Sequence, residues 1–221
     1  MGCMTAPSSA RETISVGARR LLLAAVLGLL PVGAGADSWP GPVVLNRFSE
    51  SGDFFVRIVP GRSVGDTWGF KGAPKGPYAT ARFYALQADR SYRLVSEVSL
   101  LNPVAPVDAL VTRRGYLVTF DNWHNMGFGK VLAVYDPGGK PVASYELEQL
   151  YAPHKIERIR QSESSRYWRC QPFGFVDPPE QTQLYVREAL GGEFVLTIAS
   201  GAIEYRPNQI KDCVPPELPR R

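Results

Sequence analysis

The run Ala109–Leu147, ALVTRRGYLVTFDNWHNMGFGKVLAVYDPGGKPVASYEL, narrows what this chain can fold into more than any other stretch. Tyr116–Phe120 (YLVTF) and Lys130–Tyr135 (KVLAVY) are short runs of aromatic and β-branched residues, the composition of a pleated, partly buried strand. Arg113-Arg114-Gly115 reads as a tight turn entered by a strand over Asp108–Thr112. Asp136-Pro137-Gly138-Gly139-Lys140 is a hairpin turn in which Pro presets φ and Gly supplies the left-handed position. Val142–Leu147 (VASYEL) then returns as the next strand. The stretch is an antiparallel meander of about four short strands.

The same pattern recurs on either side. Phe54–Val59 (FFVRIV), preceded by the turn Ser49–Asp53, corresponds to YLVTF after Arg113-Arg114-Gly115. Ala79–Leu86 and Tyr92–Leu101 continue that unit, and Thr182–Arg187, Phe194–Ala199 and Ile203–Arg206 form a later one. Glu148–Tyr151 reads as a short helical turn. Three degenerate meander units follow, over about residues 43–107, 108–152 and 165–213, each near the roughly 40-residue size of a β-propeller blade. The segment VYDPGGKPVASYEL resembles the third strand, turn and fourth strand of such a blade. Three units are fewer than the roughly four to eight that close a ring. The expected fold class is therefore all-β: a propeller-like open arc of three units, or a sandwich. Twenty-one glycines, nineteen prolines and 11% aromatics suit either form.

Residues 1–36 read as a secretory signal peptide: Arg11, Arg19 and Arg20 ahead of the apolar run Leu21–Leu30, then Ala34-Gly35-Ala36 as a small-residue cleavage site. The apolar run is short for a bilayer span, so a retained anchor is the lesser alternative and no stable span is expected after cleavage. A single β domain is expected over 37–213, with 214–221 a flexible tail. Periplasmic or secreted localisation follows from that leader. Of the 25 basic and 21 acidic residues, the leader holds three arginines and one glutamate, so the mature chain keeps 22 and 20, a net charge of +2. With no basic block interleaved with aromatics, nucleic acid is not an expected partner. Cys170 and Cys213, the even pair left in an exported chain, are expected to form a disulfide.

Catalytic patterns are sparse. The two histidines, His124 and His154, cannot make a three-histidine zinc site. Asp121 and His124 share one loop and offer two metal ligands, which leaves a metal-dependent hydrolase on the 121–129 loop as an alternative function. The blander reading, Asp121 and Asn122 as turn formers, is preferred. There is no GxSxG around Ser200, and Gly69–Pro74 (GFKGAP) lacks the ending of a phosphate loop. Glu146 and Glu148 read as solubilising charges. No catalytic residue, metal or cofactor is expected.

What remains is a set of aromatics on loops: Trp68 and Phe70 in the long Pro60–Pro77 loop, Trp123 and Phe128 in Asp121–Gly129, and Trp168. Loop aromatics either fold back to cover the ends of the sheets, the preferred reading, or serve as candidate anchors for a ligand. Both loops follow equivalent strands, so they are expected on one side, with Trp68, Phe70 and Trp123 forming a surface patch edged by Asp121 and His124. The run FFVRIVPGRSVGDTW, with TFDNW and VYDPGGK further on, resembles a group of exported bacterial proteins of unknown function. That resemblance implies a secreted β-meander fold and no particular activity. The expected role is an exported binding or interaction module for a protein, peptide or glycan, with a structural envelope protein as a further alternative.

Overall fold

The computed structural model describes residues 39–171, 173–207, 213 and 214. The expected leader, 1–36, and the tail beyond Val214 lie outside the described residues. Val214 itself pairs with Gln171, so the first residue of the expected tail is held by a backbone hydrogen bond of 2.7 Å.

Among the described residues, twelve strands form three four-stranded antiparallel sheets, each in sequence order. The first holds β1 (Leu45–Phe48), β2 (Phe54–Val59), β3 (Thr80–Leu86) and β4 (Tyr92–Ser99). The second holds β5 (Asp108–Val111), β6 (Leu117–Phe120), β7 (Leu132–Tyr135) and β8 (Pro141–Tyr145). The third holds β9 (Gly174–Phe175), β10 (Gln183–Arg187), β11 (Glu193–Thr197) and β12 (Ile203–Arg206). Among the described residues, helix is confined to a one-turn 3₁₀ segment, Val64–Asp66, and two short turns, α1 (Leu147–Leu150) and α2 (Pro153–Ile156). The chain is all-β, with the three meander units expected from its strand pattern.

The sheets lie face against face, and the middle one is covered on both sides. Every residue of β6 and β7 is buried. Leu117, Ala133 and Tyr135 pack with Val56, Ile58, Ala81 and Phe83 of the first sheet. Their neighbours Val118, Phe120, Leu132 and Val134 pack with Leu184, Val186, Phe194 and Leu196 of the third. This explains why LVTF and LAVY are nearly continuous apolar runs: a strand buried on both faces has no polar side to show. The outer sheets keep alternation, as in β10, whose buried Leu184 and Val186 are flanked by half-buried Gln183, Tyr185 and Arg187.

The Asp136–Lys140 turn also spaces the sheets. Asp136 Oδ1 accepts from the amides of Gly138 and Lys140, both at 2.9 Å. Gly139 sits at φ 85°, and a Cβ there would lie 2.7 Å from Val98 of the first sheet, so both conformation and room require glycine. On the other side, Cys170 and Cys213 are disulfide-bonded with Cα atoms 5.0 Å apart. That bond fastens the chain ahead of β9 to the chain beyond β12.

The connections between second and third strands decide where a site can form. In the third sheet this connection is a tight turn at Glu188–Gly192, whose buried Glu188 carboxylate accepts from the amides of Leu190 (2.7 Å) and Gly192 (2.6 Å). In the first two sheets it is the long loop after Val59 and the loop after Phe120. Gly61 N donates to Val104 O (2.7 Å), Trp123 N to Ala105 O (2.8 Å) and Asn102 Nδ2 to Asp121 O (2.9 Å). The strap 102–105 thus ties both long loops to one end of the stack.

Candidate functional site

The 121–129 loop forms a floor. Asp121 leaves β6 at φ 58°, a left-handed conformation that Asp tolerates. Its carboxylate turns inward: Oδ1 accepts from Trp168 Nε1 (2.7 Å) and Gly127 N (3.0 Å), and Oδ2 from Arg169 Nε (2.8 Å). Both side chains of the Asp121–Arg169 pair are fully buried, and Arg169 Nη1 and Nη2 have no hydrogen-bond partner among the described residues. The guanidinium instead lies over the ring of Phe120, 4.9 Å from its centroid. Asn122 closes the loop on itself, donating Nδ2 to Phe128 O (2.7 Å) and accepting from Asn102 Nδ2 (2.8 Å).

Trp123 is 3% exposed, packs with Val104 and Ala105, and donates Nε1 to Pro40 O (3.0 Å). The expected surface positions of Asp121 and Trp123 are therefore corrected. Carboxylate and indole both turn inward, because a buried arginine and a half-buried Trp39, 5.7 Å from the Trp123 ring, provide partners that loop composition does not reveal. Trp168 is likewise buried. His124, at φ 75°, lies between Trp39 (6.1 Å) and Phe70 (5.5 Å), and burial lowers its pKa below the usual 6.5.

The Pro60–Pro77 loop forms the opposing wall. It is ordered by bonds within itself, as a compact Ω-type loop is. Gly65 N donates to Pro74 O (2.9 Å), Gly76 N to Ser63 Oγ (3.0 Å) and Thr67 Oγ1 to Val64 O (2.6 Å). Asp66 accepts from Ser63 Oγ (2.6 Å) and pairs with Lys75. Those contacts, Lys75 first, hold the Asp66 carboxyl below the ordinary carboxylate range and raise the Lys75 ammonium. Tyr78 is shifted upward by desolvation and then by the Asp66 charge.

Between wall and floor lies an open cleft of about 450 Å³, lined among others by Asp66, Trp68, Tyr78, Asn125, Phe128 and Glu146. Trp68 is 55% exposed and stacks on Phe128, centroids 4.2 Å apart and planes 14° from parallel. Arg166 lies 4.2 Å over the Phe128 ring and pairs with Glu148 at 3.0 Å. Lys130 and Glu146 pair at 2.9 Å at the rim. The structure brings Trp68, Phe70, His124 and Phe128 together and leaves Asp121 and Trp123 beneath them. Asp66, Tyr78 and Asn125 carried no sequence signal beyond ordinary loop composition.

The Asp121 carboxylate is occupied by Gly127, Trp168 and Arg169, which removes it as a partner for His124 in metal binding. Among the described residues no three His, Cys, Asp or Glu side chains are grouped to hold a metal ion. Nor, among the described residues, is any helix long and apolar enough to cross a membrane.

No family model matches the chain, and no curated protein matches it. Among solved structures, the C-terminal WD40 domain of Sif2 is similar at a TM-score of 0.35 and 9% identity, over 76% of this chain and 39% of that one. The chain thus spans well under two thirds of that domain's length.

Proposed function

We propose that this chain is an exported binding or interaction module whose ligand sits in the cleft between the 60–77 and 121–129 loops. The carrying observation is Trp68: a large aromatic 55% exposed at the edge of a concave space and held flat against Phe128. An exposed aromatic fixed in place supplies contact area at little entropic cost, which is what a binding anchor needs. The leader-like residues 1–36 and the Cys170–Cys213 bond favour an oxidising, extracytoplasmic setting. The binding reading is preferred to the hydrolase alternative because Asp121 is already committed to a buried ion pair.

A photoreactive residue at Phe70, beside the cleft, tests the reading in the native host. An adduct is expected there that Trp68→Ala abolishes, with none from the same group at exposed Glu204 on β12. Equal labelling at both positions, or an adduct indifferent to Trp68, would overturn it. Export predicts a mature N-terminus at Asp37; an intact Met1 in the exported fraction would count against cleavage.

A further inference from the structure

We infer that the cleft takes a neutral oligosaccharide with one pyranose ring laid on Trp68, an inference that rests on the cleft being a ligand site. Three observations point to that chemistry. First, the platform is rigid and single. Trp68 and Arg166 both lie 4.2 Å from the Phe128 centroid, so they occupy its opposite faces. Phe128 is thereby filled on both sides, while Trp68 lines the cleft and stays 55% exposed. A pyranose ring has an apolar C–H face that matches an exposed indole.

Second, the charged groups of the lining are each held in an ion pair. Asp66 pairs with Lys75 and Glu146 with Lys130, so a charged ligand would have to break a pair to gain a partner. Third, the lining sets a few acceptors among largely apolar surface. Each Asp66 oxygen has one partner, Lys75 or Ser63, and Glu146 holds Lys130, and a carboxylate oxygen has two lone pairs, so each can accept once more. Asn125, only 2% exposed, has its Oδ1 without a hydrogen-bond partner among the described residues. A buried acceptor left unmade is costly, so a donor that reached it would be stabilised. Sugar hydroxyls bring several donors on a compact frame, whereas an extended peptide brings one backbone N–H per residue. Proline-rich peptides dock in grooves lined by aromatics, and this site offers one exposed indole face. The space, about 450 Å³, lies within the usual small-molecule range and suits a short oligosaccharide.

An array of neutral and anionic glycans, probed with the wild-type protein, Trp68→Ala and Trp68→Phe, is the test. Saturable binding to neutral glycans is expected, unchanged between low and high salt. Trp68→Ala should weaken it at least about tenfold, and Trp68→Phe by less. Trp68→Phe also keeps the experiment informative should Trp68→Ala misfold. Binding confined to anionic glycans, neutral binding indifferent to Trp68, or no glycan binding would each overturn the inference. A displayed-peptide library run on the same proteins separates the two levels. Peptides retained by wild type and lost by Trp68→Ala would sink the sugar assignment but keep the cleft as a binding site. Independence of Trp68 in both screens would remove both.

Discussion

The two loops that meet at the cleft have similar ingredients and opposite roles. Each carries a tryptophan, an aspartate and at least two glycines. In the 121–129 loop Trp123 and Asp121 are buried, and their polar atoms bond to Pro40, Gly127, Trp168 and Arg169. In the 60–77 loop Trp68 is exposed, and Asp66 lies on the cleft wall beside an exposed lysine. Residue type does not decide the difference; what lies behind each loop does. The second loop sits over the segment Trp168-Arg169-Cys170, which supplies donors from below. The first has the 102–105 strap at its base and solvent beyond Trp68. A buried loop and an exposed loop are thereby built side by side.

Substitutions can break or sharpen that contrast. The largest effect is expected from Asp121→Asn, which keeps a side chain tolerant of positive φ but removes the charge facing buried Arg169. A loss of about 3–5 kcal/mol in urea unfolding at pH 7 is expected, and a loss under about 1 kcal/mol would mean that the pair is not the loop's foundation. Trp123→Ala should follow at about 3–4 kcal/mol, since it removes a 3%-exposed indole and leaves Pro40 O without its donor. It should cost more than Val134→Ala in the core, and a surface-like cost would put Trp123 back in the exposed class.

Cys170→Ser should cost about 2–4 kcal/mol, because the disulfide restrains the unfolded chain and fastens the residue next to Arg169. Thiol labelling of denatured, unreduced wild type should find neither cysteine free. Trp68→Ala should change stability by no more than about 0.5 kcal/mol in the same assay, as surface substitutions do. A drop comparable to that of Trp123→Ala would erase the distinction between the loops.

The smallest effect concerns His124, whose folded pKa is lowered by burial. The unfolded chain then takes up a proton near the ordinary value of about 6.5 while the folded chain resists it. The histidine's contribution is fully favourable above that pH and weakens as pH falls through it toward the folded value. The urea midpoint of wild type should therefore drop more between pH 7.5 and 5.5 than that of His124→Asn, a substitution that tolerates the same positive φ. Parallel pH profiles would show that burial of the imidazole is energetically unimportant.

Much of the fold was legible because strands with one or two apolar faces announce themselves. FFVRIV is β2 without change, and LVTF and LAVY sit inside the runs that the sequence marked. Two strands gave no signal. β1 is LNRF, with no β-branched residue, and its shape comes from pairing Leu45–Phe48 against Ile58–Phe55. β9 is only Gly174-Phe175, a strand by virtue of β10 beside it. The two aromatic loops were legible as neighbours through their equivalent place after β2 and β6. The direction of each tryptophan was not, since it depends on residues such as Pro40, distant in sequence from Trp123.

The sequence by itself determined the local properties of this chain: which stretches pleat and where Asp136–Lys140 must turn, both consequences of backbone preference and composition. Only the tertiary structure decided that β6 and β7 are buried on both faces, that Asp121 has a buried arginine beneath it, and that Trp68 faces a cleft while Trp123 does not. The reason is physical. A strand or a turn is stabilised by neighbours within a few residues. Burial and ion pairing depend on which distant surface arrives against each side chain, and that is settled when the three sheets stack.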